Sequence, residues 1–218
     1  MNKWKESELV RSLVGFFLLF LLFVGLFIFI VPSTHQSSKI AEKIKSIKNE
    51  NVTYVAIGDS LTQGVGDSSN QGGFVPVLSQ ALESDFDWQV TSRNYGIAGN
   101  TSNQILKRMQ EKKDIQRDLK KAKVMTLTVG GNDVIHVIKD NITNLNVATF
   151  TKPAQAYQKR LEQIIELARK ENKTLPIYIV GIYNPFYLNF PEMTEMQTIV
   201  DNWNQSTEEV CKEYDNVY

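Results

Sequence analysis

Three apolar, β-branched runs in this chain each end in a short polar segment rich in glycine. VTYVAIGD (residues 52–59) leads into a helical segment at 73–82. DWQVTSRNYGI (87–97) leads into TSNQILKRMQEKKDIQRDLKKA (101–122), which opens on a hydroxyl cap and continues as a polar helix. KVMTLTVGGND (123–133) is the third strand. Pro153 suits the first position of a helix that aligns Tyr157, Leu161, Ile164, Ile165 and Ala168 on one face. LPIYIVGIY (175–183) supplies a fourth strand, and residues 192–214 a further helix. Strands and helices alternating at this spacing predict an α/β fold: a three-layer, flavodoxin-like parallel sheet with helices on both faces. Ligands of such sheets bind outside the carboxyl ends of the strands. GDSLTQG (58–64), NYGIAGNTSN (94–103) and GGND (130–133) all fall there.

A second constraint lies upstream. LVGFFLLFLLFVGLFIFIV (13–31) is an uncharged run of 19 residues, which as a helix spans roughly 28 Å, close to the hydrocarbon core of a bilayer. Lys3, Lys5 and Arg11 precede it, favouring a cytoplasmic N-terminus. The expected organisation is a cytoplasmic tail (1–12), a single-pass transmembrane anchor (13–31), a linker and stalk (32–50) and one domain (51–218) held outside the cell membrane. Ile40, Ile44 and Ile47 give the stalk helical periodicity. A signal peptide cleaved near Pro32, followed by secretion, is the alternative.

Composition narrows the chemistry. Lys+Arg and Asp+Glu are equal at 24 each, so nothing favours a nucleic-acid partner. Cys211 is the only cysteine, which excludes intramolecular disulfides and thiolate metal clusters. No cofactor and no metal are expected. Acyl transfer through a hydroxyl needs a nucleophile and donors aimed where the oxyanion develops. Ser60 sits at a strand-to-helix corner, Gly99 lets a substrate approach the backbone closely, and Asn132 offers a side-chain amide. Asp59 is expected to cap the helix that follows.

In this order and spacing, GDSLTQG, AGNTS and GGND resemble the GDSL or SGNH family of serine esterases and lipases, with the anchor similar to membrane-tethered members from Gram-positive bacteria. The resemblance implies Ser60 as nucleophile and first oxyanion donor, Gly99 as second donor and Asn132 as third. It implies carboxylic ester hydrolysis, with a small ester, a lipid or an acylated cell-wall polymer as substrate. Gly58-Asp59-Ser60-Leu61-Thr62 is not G-x-S-x-G, so the α/β-hydrolase elbow is not implied.

The family's base histidine and its orienting aspartate come from a C-terminal Asp-x-x-His block, which this sequence does not contain. It has two histidines, His35 in the linker and His136. Asp133-Val-Ile-His136 has the spacing but lies inside the third block, so His136 is expected to be a neighbour of the site rather than its base. KEYDNVY (212–218) reads as a helix end entering a fifth strand, so the expectation is a C-terminally incomplete domain with impaired hydrolysis. A catalytically inactive cell-surface binding module on the same fold is the alternative. A flavin or phosphate binder of the flavodoxin kind would place AGNTSN after the first strand rather than the second. Phe186, Tyr187, Phe190 and Met193 are candidates either for an acyl pocket or for packing.

Overall fold

A computed structural model describes residues 50–141, 143, 146–184, 187 and 194–218. The expected anchor, nearly all of the stalk, His35, Phe186, Phe190 and Met193 lie outside the described residues. Among those described, no helix is long and apolar enough to cross a membrane.

Four strands pair in parallel: β1 (Asn51–Gly58), β2 (Gln89–Gly96), β3 (Ala122–Thr128) and β4 (Ile177–Val180). Their spatial order is β2-β1-β3-β4. β1 and β3 are central and buried almost throughout, whereas β2 is a largely exposed edge. That contrast follows the sequence: VTYVAI is apolar on both faces, while QVTSRN carries the polar residues an edge tolerates. Val217 forms a parallel bridge with Ile177, and the Tyr218 N–H donates to the Ile177 carbonyl at 2.9 Å. The expected start of a fifth strand is therefore present beside β4.

The helices are α1 (Ser60–Gln63), α2 (Phe74–Phe86), α3 (Ser102–Glu111), α4 (Lys113–Lys121), α5 (Gly131–Asp140), α6 (Thr151–Glu171) and α7 (Thr194–Lys212). The chain leaves β1 toward β2, then returns past β1 to β3 and continues to β4. Right-handed crossovers put the helices of these opposite moves on opposite faces. Accordingly, Tyr54, Ala56 and Val124 pack against Val75, Phe74 and Leu78 of α2. Val55, Ile57, Met125 and Leu127 pack with residues of α3, α4, α6 and α7 on the other side. The reversal between β1 and β3 is the topological switch point, where such sheets open a ligand crevice.

Three elements differ from the sequence reading. The helix expected to open at Pro153 begins at Thr151, which makes Pro153 its third residue. The long helix expected at 101–122 is two helices, broken at Lys112 (φ −91°, ψ 105°). Ile115 follows Ile105 by ten residues, so an unbroken helix would put it about 80° off the same stripe. The break restores both Ile105 and Ile115 to the core, and the Gln116 side chain donates to the freed carbonyls of Met109 and Gln110. The third strand ends at Thr128, and the GGND segment already belongs to α5. Asn132 thus stands in the first turn of a helix.

Candidate active site

The end of β1 is fixed by hydroxyls. Thr128 Oγ1 donates to Asp59 Oδ1 at 2.8 Å and accepts from the Asp59 N–H at 3.1 Å, while Thr62 Oγ1 lies 2.8 Å from the same oxygen. A Cβ on Gly58 would lie 2.1 Å from Thr128 Oγ1 and 2.5 Å from Thr62 Oγ1, so only glycine admits this knot. Asp59 caps α1, accepting from the Leu61 N–H at 3.0 Å, which is the role expected of it. Ser60 follows as the first helical residue, where its own N–H has no carbonyl one turn back. Its hydroxyl makes no hydrogen bond among the described residues.

The segment after β2 is tied to this corner. The Ile97 N–H donates to the Gly58 carbonyl at 3.1 Å, and Asn94 Nδ2 to the Thr62 carbonyl at 2.7 Å. Arg108 bridges both strand ends, donating from Nη2 to Gly58 O at 3.1 Å and from Nη1 to Tyr95 O at 2.9 Å. Residues 97–100 then turn, with the Asn100 N–H bonded to Ile97 O at 3.2 Å and Gly99 at φ +79°. That left-handed value favours glycine. A Cβ at Gly99 would meet nothing within 4 Å, so its backbone is open to an approaching molecule.

Asn132 closes the third side. One hydrogen of Nδ2 goes to the Asn100 carbonyl at 3.0 Å, which orients the amide and leaves its second hydrogen for another acceptor. Its helix begins at Gly130 (φ +108°), which seats against Trp203 and Tyr157, where a Cβ would come within 2.8 Å of Trp203 Nε1. His136 is exposed, and its Nδ1–H donates to the Asn132 carbonyl at 2.8 Å. That bond ties its ring back onto its own helix, and His136 is not among the residues lining the cleft beside Ser60.

Beside Ser60 opens a cleft of about 190 Å³. Asp59, Ser60, Thr128 and Asn132 form its polar end, and Val134, Ile138, Val180, Ile182, Met196 and Val200 its walls. Tyr187, expected either here or in packing, is exposed and not among the lining residues. Sequence reading singled out Ser60, Gly99 and Asn132 but missed Thr128, Arg108 and the apolar wall. Thr128 carries a readable signal, being a hydroxyl in the last position of a buried strand. The wall carries none, because its residues are ordinary aliphatics spread over β4, α5 and α7. Among the described residues no group of three or more His, Cys, Asp or Glu could hold a metal ion.

Residues 56–218 match the model of the GDSL-like Lipase/Acylhydrolase family. An uncharacterized Bacillus subtilis protein, YpmR, is 34% identical over 83% of this chain and 71% of its own length. The spore germination lipase LipC of Bacillus licheniformis is 30% identical over 61% of this chain and 64% of its own. Among solved structures, the lipase Lip_vut3 from a goat rumen metagenome superposes with a TM-score of 0.67 at 23% identity, covering 77% of this chain and 79% of that one. The acetyl xylan esterase AlAXEase gives 0.53 at 19% identity, over 74% and 73% of the two chains. The two structures speak for the fold alone, and the family model for membership: this chain belongs to the GDSL-like lipase/acylhydrolase family of hydrolases.

Proposed function

We propose that the domain hydrolyses carboxylic esters by acyl transfer to Ser60. The Ser60 oxygen attacks the ester carbonyl while its proton passes to a base. The charge that develops on the carbonyl oxygen is held by the N–H of Ser60, the N–H of Gly99 and the free hydrogen of Asn132 Nδ2. The ester C–O bond then breaks, the alcohol leaves with the proton, and water resolves the acyl-serine. The single observation that carries this reading is the pinned amide of Asn132. One hydrogen is spent on Asn100, and Asn132 lines the same cleft as Ser60, whose hydroxyl makes no hydrogen bond among the described residues. No cofactor takes part.

The substrate we favour is an ester whose acyl group is a hydrocarbon chain, because the cleft next to Ser60 is walled by aliphatic side chains. A small ester or an acylated cell-wall polymer would leave those walls wet. Attached to residues 13–31 as a single-pass anchor with a cytoplasmic N-terminus, the domain would act outside the cytoplasm. Protease digestion of intact cells tests that placement.

The base is the weak point of the chain. His136 places its Nδ1–H on the Asn132 carbonyl and is not among the residues lining the cleft beside Ser60, and the sequence offers one other histidine, His35. The 218-residue chain is therefore expected to be slow, keeping the residual rate that binding and the oxyanion donors supply without a base. The test is hydrolysis of a chromogenic octanoyl ester by wild type and Ser60→Ala between pH 6 and pH 9. A Ser60-dependent rate that climbs steadily with hydroxide is expected, and His136→Ala should not change it. A plateau with a midpoint near the ordinary imidazole value of about 6.5, lost in His136→Ala, would make His136 the base. Equal rates for wild type and Ser60→Ala would leave the fold as a binding module without the chemistry.

A further inference from the structure

We propose that Asp133 is a positioning residue, whose carboxylate sets the spacing between the Gly99 N–H and the Asn132 amide. The proposal rests on the acyl-transfer reading above. Asp133 accepts from the Ser102 N–H at 2.8 Å, the Ser102 hydroxyl at 2.5 Å and Arg160 Nη2 at 3.1 Å. Arg160 Nε donates to the Ser102 oxygen at 2.6 Å. Ser102 is fully buried and Asp133 is 7% exposed, so water does not compete for these bonds. Three elements, α3, α5 and α6, meet on one carboxylate.

The position of this cluster in the chain gives it a use beyond stability. Asp133 follows Asn132 directly, and Ser102 lies two residues after Asn100, whose carbonyl holds the Asn132 amide. Two adjacent crosslinks therefore join the same two backbone segments. One runs from Asn132 to Asn100, the other from Asp133 to Ser102, and Gly99 is the next residue along. Thr101, between the two rungs, is held in turn by Gln104, which accepts from its N–H at 2.9 Å. A ring closed in this way has little freedom left, so the two donors keep a fixed separation. A helix-capping acid would need only the Ser102 N–H, and a structural ion pair only Arg160. The carboxylate serves both and adds the hydroxyl between them.

Asp133→Asn keeps size and shape but turns one oxygen into a donor, facing either the Ser102 N–H at Oδ2 or the Ser102 hydroxyl and Arg160 Nη2 together at Oδ1. One rung then loosens while Arg160 stays paired with Ser102. The consequence is read in single turnovers of the full chain with diethyl p-nitrophenyl phosphate. There the Ser60 oxygen bonds to phosphorus, p-nitrophenolate leaves, the serine proton goes to solvent, and the phosphoryl oxygen takes the oxyanion position. Asp133→Asn is expected to lower the maximal rate at least tenfold. Half-saturation should stay within twofold, since donors that act only in the transition state change rate and not binding. Ser102→Ala, which removes the hydroxyl's bond to Asp133 and the one it accepts from Arg160 Nε but keeps the backbone N–H bond, should lower the rate by less, and it decides the matter if Asp133→Asn does not fold.

An unchanged maximal rate in both variants would overturn the proposal, as would a loss matching the unfolded fraction seen by circular dichroism. If wild type releases no more p-nitrophenolate than Ser60→Ala, the acyl-transfer reading fails and the amide spectrum decides the positioning separately. There, the Gly99 N–H and Asn132 Nδ2 signals should shift together in the variant that folds. Both remaining at wild-type positions would refute the positioning role.

Discussion

The polar floor of the site and the apolar wall of its cleft are built on different terms. On the floor, a change of residue type breaks a specific bond: Gly58 yields to the Thr128 and Thr62 hydroxyls, Asn132 to the Asn100 carbonyl, and Asp59 to the Leu61 N–H and Thr128. On the wall, Val134, Ile138, Val180, Ile182, Met196 and Val200 offer only shape and apolar area. Hydrogen bonds are directional and costly to leave unmade when buried, whereas aliphatic side chains of similar volume replace one another at little loss. The floor should therefore govern the chemistry of every ester alike, and the wall should govern which ester is preferred.

Changes on the floor should give the largest effects. Asn132→Ala should lower the Ser60-dependent rate by about 10²–10³, the loss typical of one oxyanion donor. Acetyl and octanoyl esters should lose equally, and a loss confined to the longer ester would dissolve the distinction between floor and wall. Gly58→Ala should destabilise the fold by about 1–3 kcal/mol, as overpacking does, because the new methyl meets two hydroxyl oxygens. A lowered urea midpoint would register it, and an unchanged one would show that the threonine knot can move aside.

The wall is tested through selectivity. Ile135 is 42% exposed at the cleft, so Ile135→Ser should leave the fold intact. It should lower kcat/KM for the octanoyl ester by about tenfold, on the scale of a methylene or two in an apolar pocket. The acetyl ester should stay within twofold. The smallest effect lies away from both regions, at Asp118. Burial by itself would raise its pKa, but hydrogen bonds from Arg117 and Tyr95, with the charges of Arg117 and Arg93, outweigh it and hold the carboxyl below its ordinary value. A lowered folded value means stability that is present above the unfolded carboxylate value of about 3.9 and lost as pH falls through the folded one. Arg117 is 61% exposed, so solvent discounts the effect. Melting temperatures recorded below pH 5 should fall slightly less steeply for Asp118→Asn than for wild type.

The same division explains what could be read from sequence. Ser60, Gly99 and Asn132 stand out because strand ends that carry glycine beside Ser or Asn are chemically unusual. The parallel sheet was legible from apolar strands alternating with helices. The break at Lys112 was not, because it answers to a stripe that must stay in phase with the sheet. Asp133 was visible only as part of a spacing with His136, while its partners Ser102 and Arg160 lie 31 and 27 residues away. The wall was hidden in ordinary aliphatics that only the fold brings together.

The most direct measurement is where an organophosphate lands. The full chain is incubated with diethyl p-nitrophenyl phosphate, digested, and its peptides are read by mass spectrometry. The account predicts a single diethylphosphoryl group on Ser60, one per chain, absent from Ser60→Ala and formed far more slowly in Asn132→Ala. An adduct spread over surface tyrosines, or a Ser60 that stays unmodified after the reagent has reacted elsewhere, would contradict it.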